Sequence, residues 1–415
     1  MFEFIGFVRR NWTAFNPPQA AKAADALRIG LLGASNIAPL AIIGPAKSHP
    51  EVIIAAIAAR DENKAQAYAK KHSIPVVFKS YQELIDDPSI DAVYIPLPNG
   101  LHYEWALKSI KAGKHVLLEK PSTSNADEAA SLFRHELLKQ PNAPVLLEAF
   151  HSRFHPAWQA FLSLLDPPNI TSAHASMVLW DGTFPNDDIR FIYDLSGGTL
   201  MDLGTYMVLS LRQMLGTEPE ECLEAVPRLM PKGWDQKCDQ AMKAKWRFPN
   251  GAIADIEVDF AGKGAYGQPR IRFPRCSATH REVVVKDSSL PAGREHVMVK
   301  TITFWNQMLP TLWHRIDILE AHTIRNINDK KAIKTWTEKS YKKEYVWADQ
   351  GESKPAGEEH WTTYRYQLEE FVNRIKGREG SGCWMDGEDS VNQMAMIDSA
   401  YKKAGLPLRP TSLYK

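Results

Sequence analysis

Two rhythms of apolar and polar positions divide the chain. From Arg28 onward, short apolar runs alternate with stretches whose apolar residues recur every three or four positions, the mark of strand–helix units around a parallel sheet. Strands are predicted at Arg28–Gly33, Val52–Ala59, Ala92–Pro96, His115–Glu119 and Pro144–Ala149. Helices are predicted at Asp61–His72, Leu101–Ala112 and Asn125–Lys139, with Asp61 starting the first and Gly113 stopping the second. Past Phe154-His155-Pro156 the rhythm changes. The breaker cluster Asp166-Pro167-Pro168-Asn169 precedes β-type segments at Thr171–Trp180, Ala241–Phe248, Ala252–Phe260 and Arg281–Val285, and Asn250-Gly251 signals a hairpin. Strands gathered after a strand–helix series predict a second, α+β domain on one large, mostly antiparallel open sheet. Thr199–Leu215, Trp361–Lys376 and Asp389–Ala404 have helical periodicity, and the last two carry apolar faces that must be covered by the first domain. Asp329–His360, rich in Lys, Glu and aromatics, reads as an exposed elaboration.

Composition agrees with this division. A chain of 415 residues fits two domains, and 44% hydrophobic residues suffice to build their cores. A net charge of +1 offers no global field for nucleic acid or an anionic membrane. No apolar run approaches the ~20 residues of a membrane helix. The four cysteines (Cys222, Cys238, Cys276, Cys383) lack Cys-x-x-Cys spacing, which excludes a disulfide framework and fits a reducing, cytoplasmic setting. No metal-binding motif is assigned. The N-terminal order, apolar and then basic, is the reverse of a secretory signal, so residues 1–27 are expected to form an arm docked on the body.

Candidate chemistry lies at the ends of the predicted strands. In Gly30-Leu31-Leu32-Gly33-Ala34-Ser35-Asn36-Ile37-Ala38, small residues let the backbone approach a pyrophosphate at a helix N-terminus, although Ser35 stands where the usual spacing has glycine. Gly30, Gly33, Ala34, Ser35, Asn36 and Ile37 are therefore candidate cofactor contacts in a Rossmann domain spanning 28–154. Arg60 ends the second strand, where a guanidinium can clamp a 2′-phosphate, so NADP is expected rather than NAD. Pro98, Asn99 and His102 follow the next strand, on the side expected to face the nicotinamide. Asn99 reads equally as a helix cap, and His102 as a helix N-terminal histidine. Glu119-Lys120-Pro121 closes the following strand. Asp202 and Tyr206, four apart on a predicted helix, share a face, though a helix cap and a core tyrosine would look the same. Lysine, carboxylate and phenol above a redox cofactor make a proton-handling set suited to hydride transfer. A nearby Lys120 cation would favour the Tyr206 phenolate.

These segments together resemble the glucose–fructose oxidoreductase / inositol dehydrogenase / MocA family. The likeness is carried by Gly30–Ala38, Pro98-Asn99…His102, Glu119-Lys120-Pro121, Glu148-Ala149-Phe150…Arg153 and the Gly-Gly-x-Leu-x-Asp-x-Gly-x-Tyr run at Gly197–Tyr206. Tyrosine at 206, where inositol-dehydrogenase-like members carry histidine, resembles the D-xylose dehydrogenase and dimeric dihydrodiol dehydrogenase branch. Ser196 departs from the family's glycine triplet. The resemblance implies an α/β fold with an NADP-binding Rossmann domain, a substrate and oligomerisation domain over 155–388, and a C-terminal helix and tail over 389–415 packed back on the first. It implies Lys120, Asp202 and Tyr206 as catalytic residues, with Glu119 and Lys120 beside the cofactor. Lys120, Arg153, Asp202 and Tyr206 would touch a sugar or diol substrate, with Arg153 equally a structural salt bridge and His155 a further candidate for the pocket. The implied reaction is NADP-dependent oxidation of an aldose C1–OH to a lactone, in a homodimer formed through the C-terminal sheet. Alternatives are a trans-dihydrodiol or polyol/inositol dehydrogenase, or a non-catalytic NADP-binding regulator.

Overall fold

The computed structural model describes residues 2–264, 266–348 and 355–414. After helix α1 (Phe2–Phe15), the first domain is a sheet of β1 (Leu27–Leu32), β2 (Val52–Ala58), β3 (Val76–Phe78), β4 (Ala92–Ile95), β5 (His115–Leu118) and β6 (Leu146–Glu148). Every pairing is parallel and the order is β3-β2-β1-β4-β5-β6. The strands are mostly apolar because helices cover both faces, with Arg28, His115 and Glu148 confined to strand ends. Those helices are α2 (Gly44–Ser48), α3 (Glu62–His72), α4 (Tyr81–Asp86), α5 (His102–Lys111) and α6 (Ala126–Phe133). Asp61 caps α3 by accepting from the Lys64 amide, and Asn125 caps α6 by accepting from that of Glu128. The predicted helix Asn125–Lys139 breaks after Phe133 into a short 3-10 turn at Glu136–Lys139. Strand order reverses between β1 and β4, and there a doubly wound sheet opens its ligand crevice.

Helix α7 (Pro156–Leu162) leads into a mixed sheet of nine strands. These are β7 (Ile170–Val178), β8 (Glu221–Leu229), β9 (Asp239–Arg247), β10 (Ile253–Asp259), β11 (Arg272–His280), β12 (Val283–Val285), β13 (Arg294–Trp305), β14 (Arg315–Asn326) and β15 (Ala332–Lys342). The order is β15-β14-β13-β11-β7-β10-β9-β8, with β12 beside β13, and only the β7–β10 pairing is parallel. Burial alternates strictly along β10, as expected when one face packs and the other is solvated. The packed face lies under α8 (Thr205–Leu215). Asp329–His360 is exposed along residues 332–342, as expected, but that part is regular sheet. It forms rim strand β15, zipped to β14 from Ile316↔Lys342 to Arg325↔Ala332, and residues 349–354 lie outside those described. The lysines that suggested an elaboration are those that guard an exposed sheet edge.

Helices α9 (Thr363–Ile375) and α10 (Gly387–Lys403) return to the first domain. Lys376 and Arg378, just past α9, pair with Glu51, and Asp398 of α10 accepts from the amide of Ala126 at 2.9 Å. The N-terminal arm meets the second domain. Arg10 Nε donates to the Thr311 carbonyl at 2.9 Å, and its guanidinium lies 3.6 Å from the Tyr345 ring centroid. Among the described residues no helix is long and apolar enough to cross a membrane.

Candidate active site

The turn after β1 is tight at Gly33. Gly33 has φ +110°, and a Cβ on it would lie 3.2 Å from Leu97 Cδ2. Only glycine fits there, and such a backbone concavity suits a pyrophosphate. Asn36 is exposed, while Ala34, Ser35 and Ile37 are half-buried at the mouth. Ser35 Oγ accepts from the Ala38 amide at 3.2 Å, so the serine that replaces glycine ties down the turn that leads into the helical stretch. Arg60 stands exposed just past β2. This turn fits a dinucleotide. Gly30 plays a different part from the one expected: a Cβ there would fall 2.4 Å from Leu84 Cδ2, so its smallness lets α4 pack on β1.

Across the crevice, the Ser196–Gly198 turn is shaped by its neighbours. Ser196 adopts φ +60° and Gly198 φ +128°, and a Cβ on Gly198 would lie 2.3 Å from both Arg409 Nη2 and Asp239 Oδ1. Buried Arg409 donates to the Gly197 carbonyl at 2.7 Å and to Asp239 at 2.7 Å. Asp239 in turn accepts from the Leu200 amide at 2.7 Å. The chain then passes through a wide π turn, Leu200–Gly204, into α8. This turn delivers Asp202 and Tyr206 to the crevice, so Asp202 is not a helix cap.

Lys120, just beyond β5, reaches Asp202 from the other domain. Its Nζ donates to Asp202 Oδ1 at 2.7 Å and to the Asp202 carbonyl at 3.0 Å. Arg190 Nε donates to Asp202 Oδ2 at 2.8 Å and its Nη1 to Asp188 at 3.0 Å, with the guanidinium 4.4 Å from the Phe184 ring centroid. Burial alone would raise the Asp202 carboxyl, but Arg190 and Lys120 outweigh it and hold the group well below the usual carboxylate range. Glu119 accepts from Tyr94 Oη at 2.6 Å, and burial pushes its carboxyl up.

Tyr206 lies beneath this pair. Lys120 Nζ is 4.6 Å from its ring centroid, over the face. The phenol oxygen meets His151 Nε2 at 3.1 Å, and His151 Nδ1 meets Thr363 Oγ1 at 2.7 Å. His151 also stacks on Tyr364 at 3.9 Å. Burial first, then Tyr364, Glu119 and Asp202, raise the Tyr206 phenol well above its ordinary value. The pull of a nearby cation toward phenolate is outweighed: burial wins, and the resting phenol keeps its proton. His151 is lowered to about 3, by burial and then by Lys120, and stays neutral.

Other candidates occupy structural positions. His102 is fully buried, with Nδ1 2.8 Å from the Pro121 carbonyl and Nε2 2.8 Å from that of Leu97; the neutral ring donates to one of the two, and neither nitrogen is turned to a ligand. Pro98, next to Leu97, is half-buried. Asn99 donates to the Ser196 carbonyl at 3.1 Å, tying the domains together instead of capping a helix. Arg153, a substrate candidate, is an ion pair with Asp389, which Arg212 also engages at 2.7 Å. His155 is buried against Thr311. Arg190, His151 and Tyr364 escaped sequence reasoning. His151 follows a strand end, which could have flagged it, but Arg190 and Tyr364 sit in segments without a motif.

The Oxidoreductase family, NAD-binding Rossmann fold model (GFO/IDH/MocA) matches residues 27–141, and the GFO/IDH/MocA C-terminal domain model matches residues 169–274. D-xylose 1-dehydrogenase (NADP(+)) 2 of Haloferax volcanii is 31% identical over 382 residues, covering 91% of this chain and 97% of that protein. Trans-1,2-dihydrobenzene-1,2-diol dehydrogenase of Mus musculus is 32% identical over 228 residues, 54% of this chain and 66% of that protein. Among solved structures, a 3-ketoreductase from Actinomadura kijaniata in complex with NADP and TDP-benzene shares the fold at TM-score 0.64 and 22% identity, covering 91% of this chain and 98% of its own.

Proposed function

The chain belongs to the Gfo/Idh/MocA family of NAD(P)-dependent oxidoreductases, and from that premise we propose that it is an NADP-dependent dehydrogenase of a D-xylose-like aldose, taking the C1–OH to a lactone. The observation that carries this reading is the Lys120–Asp202 pair at 2.7 Å, joining the two domains directly over Tyr206. The Gly33–Ile37 turn would hold the cofactor's pyrophosphate, and Arg60 its 2′-phosphate. A nicotinamide bound there supplies the hydride acceptor. This chain's own part is to orient a hydroxyl and move its proton. Lys120 and Arg190 are fixed by Asp202 and supply donors for sugar oxygens, while Tyr206 is the group that exchanges the proton. His151 accepts or donates at the phenol oxygen, so it sets the direction in which the Tyr206 proton points.

One observation favours a second reading within the same class. The resting phenol is protonated, which suits donation to a carbonyl oxygen and hence reduction of a keto sugar. Oxidation needs that proton removed and should gain speed as pH rises.

A screen at 340 nm tests the proposal, with NADP+ and NAD+ in parallel against aldoses, polyols and trans-dihydrodiols, and NADPH against keto sugars. Turnover of D-xylose or a close aldose with NADP+ supports it. Turnover of a dihydrodiol alone would move the assignment to that substrate, and cofactor binding with no turnover to a regulator. The reading extends to a homodimer through the large sheet, and a monomer in sedimentation velocity would remove that extension.

A further inference from the structure

At the outer end of the large sheet, away from Lys120 and Tyr206, two carboxylates face each other. Glu320 of β14 and Glu338 of β15 are direct register partners. Like charges in that position destabilise a strand pair unless something positive joins them. His322, two residues along β14, points from the same face. One ligand atom from each of Glu320, His322 and Glu338 lies within 4.8 Å of the others.

The histidine supplies an independent observation. Its side chain is 10% exposed, and its Nε2 is buried without a hydrogen-bond partner, 3.9 Å from Glu338 Oε1. The ring is held from two sides. It stacks on Trp336 at 4.8 Å and 7°, and its Nδ1 lies 3.0 Å from His296 Nε2. Behind it, His296 Nδ1 is 3.9 Å from Asp287 Oδ2. His322 Nδ1 can donate to His296 Nε2, and that tautomer leaves the His322 Nε2 lone pair free as a metal ligand on the side of Glu338. Trp336 Nε1 donates to Glu338 Oε1 at 3.0 Å and steers that carboxylate. Lys300, opposite Glu320 on β13, can balance one of the two negative charges but not both.

We propose that Glu320, His322 and Glu338 bind a divalent transition metal of the zinc class. One imidazole and two carboxylates suit zinc, with water completing the shell, whereas calcium and magnesium prefer oxygen alone. Ligand atoms around zinc stand roughly 3.3 Å apart at bond lengths near 2 Å. Glu338, 63% exposed, is free to turn and close the set. No sequence motif announces the site because its ligands come from two strands that meet only by pairing.

The test is calorimetric titration of the chelator-stripped, full-length protein with zinc chloride, with elemental analysis after gel filtration. One zinc per chain is expected, at micromolar dissociation constant or tighter. His322→Ala and Glu338→Gln should each weaken it at least tenfold, and a hundredfold excess of magnesium or calcium should not displace it. No uptake, or uptake unchanged by both substitutions, overturns the proposal. Displacement by calcium overturns the zinc class. Glu338 is exposed on a rim strand, so Glu338→Gln decides the question if the His322 variant fails to fold.

Discussion

Asp202→Asn removes one negative charge while keeping the shape of the side chain. The native carboxylate, 14% exposed, faces Lys120 Nζ at 2.7 Å and Arg190 Nε at 2.8 Å. An amide accepts from one of them only and turns its own N–H groups toward the other. Losing one partner of a buried pair costs about 3–5 kcal/mol. Lys120, 12% exposed, falls in that range, whereas Arg190, 33% exposed and still paired with Asp188, is screened and adds little. Asn retains one hydrogen bond, so a net loss of about 3 kcal/mol is expected, or a melting temperature lower by roughly 5 °C. The chemical step suffers because Lys120 is no longer held. A hydrogen bond to a charged group is worth about 1.5–3 kcal/mol, or roughly 10- to 150-fold in rate. The assay is kcat and KM at 340 nm with the best substrate, beside thermal melting and NADPH fluorescence binding. Expected are a kcat about 10²-fold lower and a cofactor Kd within about threefold of native. Coupling is checked with Lys120→Met, since the double variant should lose little more than Lys120→Met alone. A kcat within threefold of native, with melting unchanged, would refute the reasoning.

Tyr206→Phe keeps the packing and removes the 3.1 Å contact with His151. Stability should fall by about 1 kcal/mol, but kcat by ~10²–10⁴ if the phenol moves the proton. A kcat loss below tenfold removes it from that role. Arg60→Ala should raise the KM for NADP by roughly 10- to 100-fold and leave that for NAD nearly unchanged; equal effects sink the phosphate clamp. Burial lowers His102 to about 4 and His151 to about 3, against an ordinary value of 6.5. The unfolded chain then binds protons that the folded chain refuses, so stability is full above pH 6.5 and falls as pH drops toward 4 and 3, by roughly 3 kcal/mol for His102 and roughly 5 kcal/mol for His151. His102→Gln should shrink the gap in melting temperature between pH 7.5 and pH 5, and an unchanged gap counts against the assignment.

How much could be read without the structure follows from what is local. The parallel sheet was legible because each strand and helix announces itself within about ten residues, through periodicity and caps such as Asp61 and Asn125. The outer strands of the second sheet were not. β14 and β15 carry charge at positions that face water or an edge, so their alternation is masked and only their pairing reveals them. Arg153 and His102 misled for a related reason. A polar residue beside a motif looks like a ligand until its partner, Asp389 or the Pro121 carbonyl, comes into view.

By itself, the sequence determined the element types of the first domain, the glycine turn after β1 and the chemical identity of Lys120, Asp202 and Tyr206. The tertiary structure decided how they act. Lys120 and Asp202 are 82 residues apart in the chain and meet at 2.7 Å only because the second domain folds back over the crevice. That closure also sets their electrostatics. It places Arg190 beside Asp202 to keep the carboxylate charged, and it buries Tyr206 so deeply that desolvation outweighs the nearby cations and the phenol keeps its proton. Residue type is a property of the chain, but dielectric surroundings and charge neighbours exist only once distant segments pack.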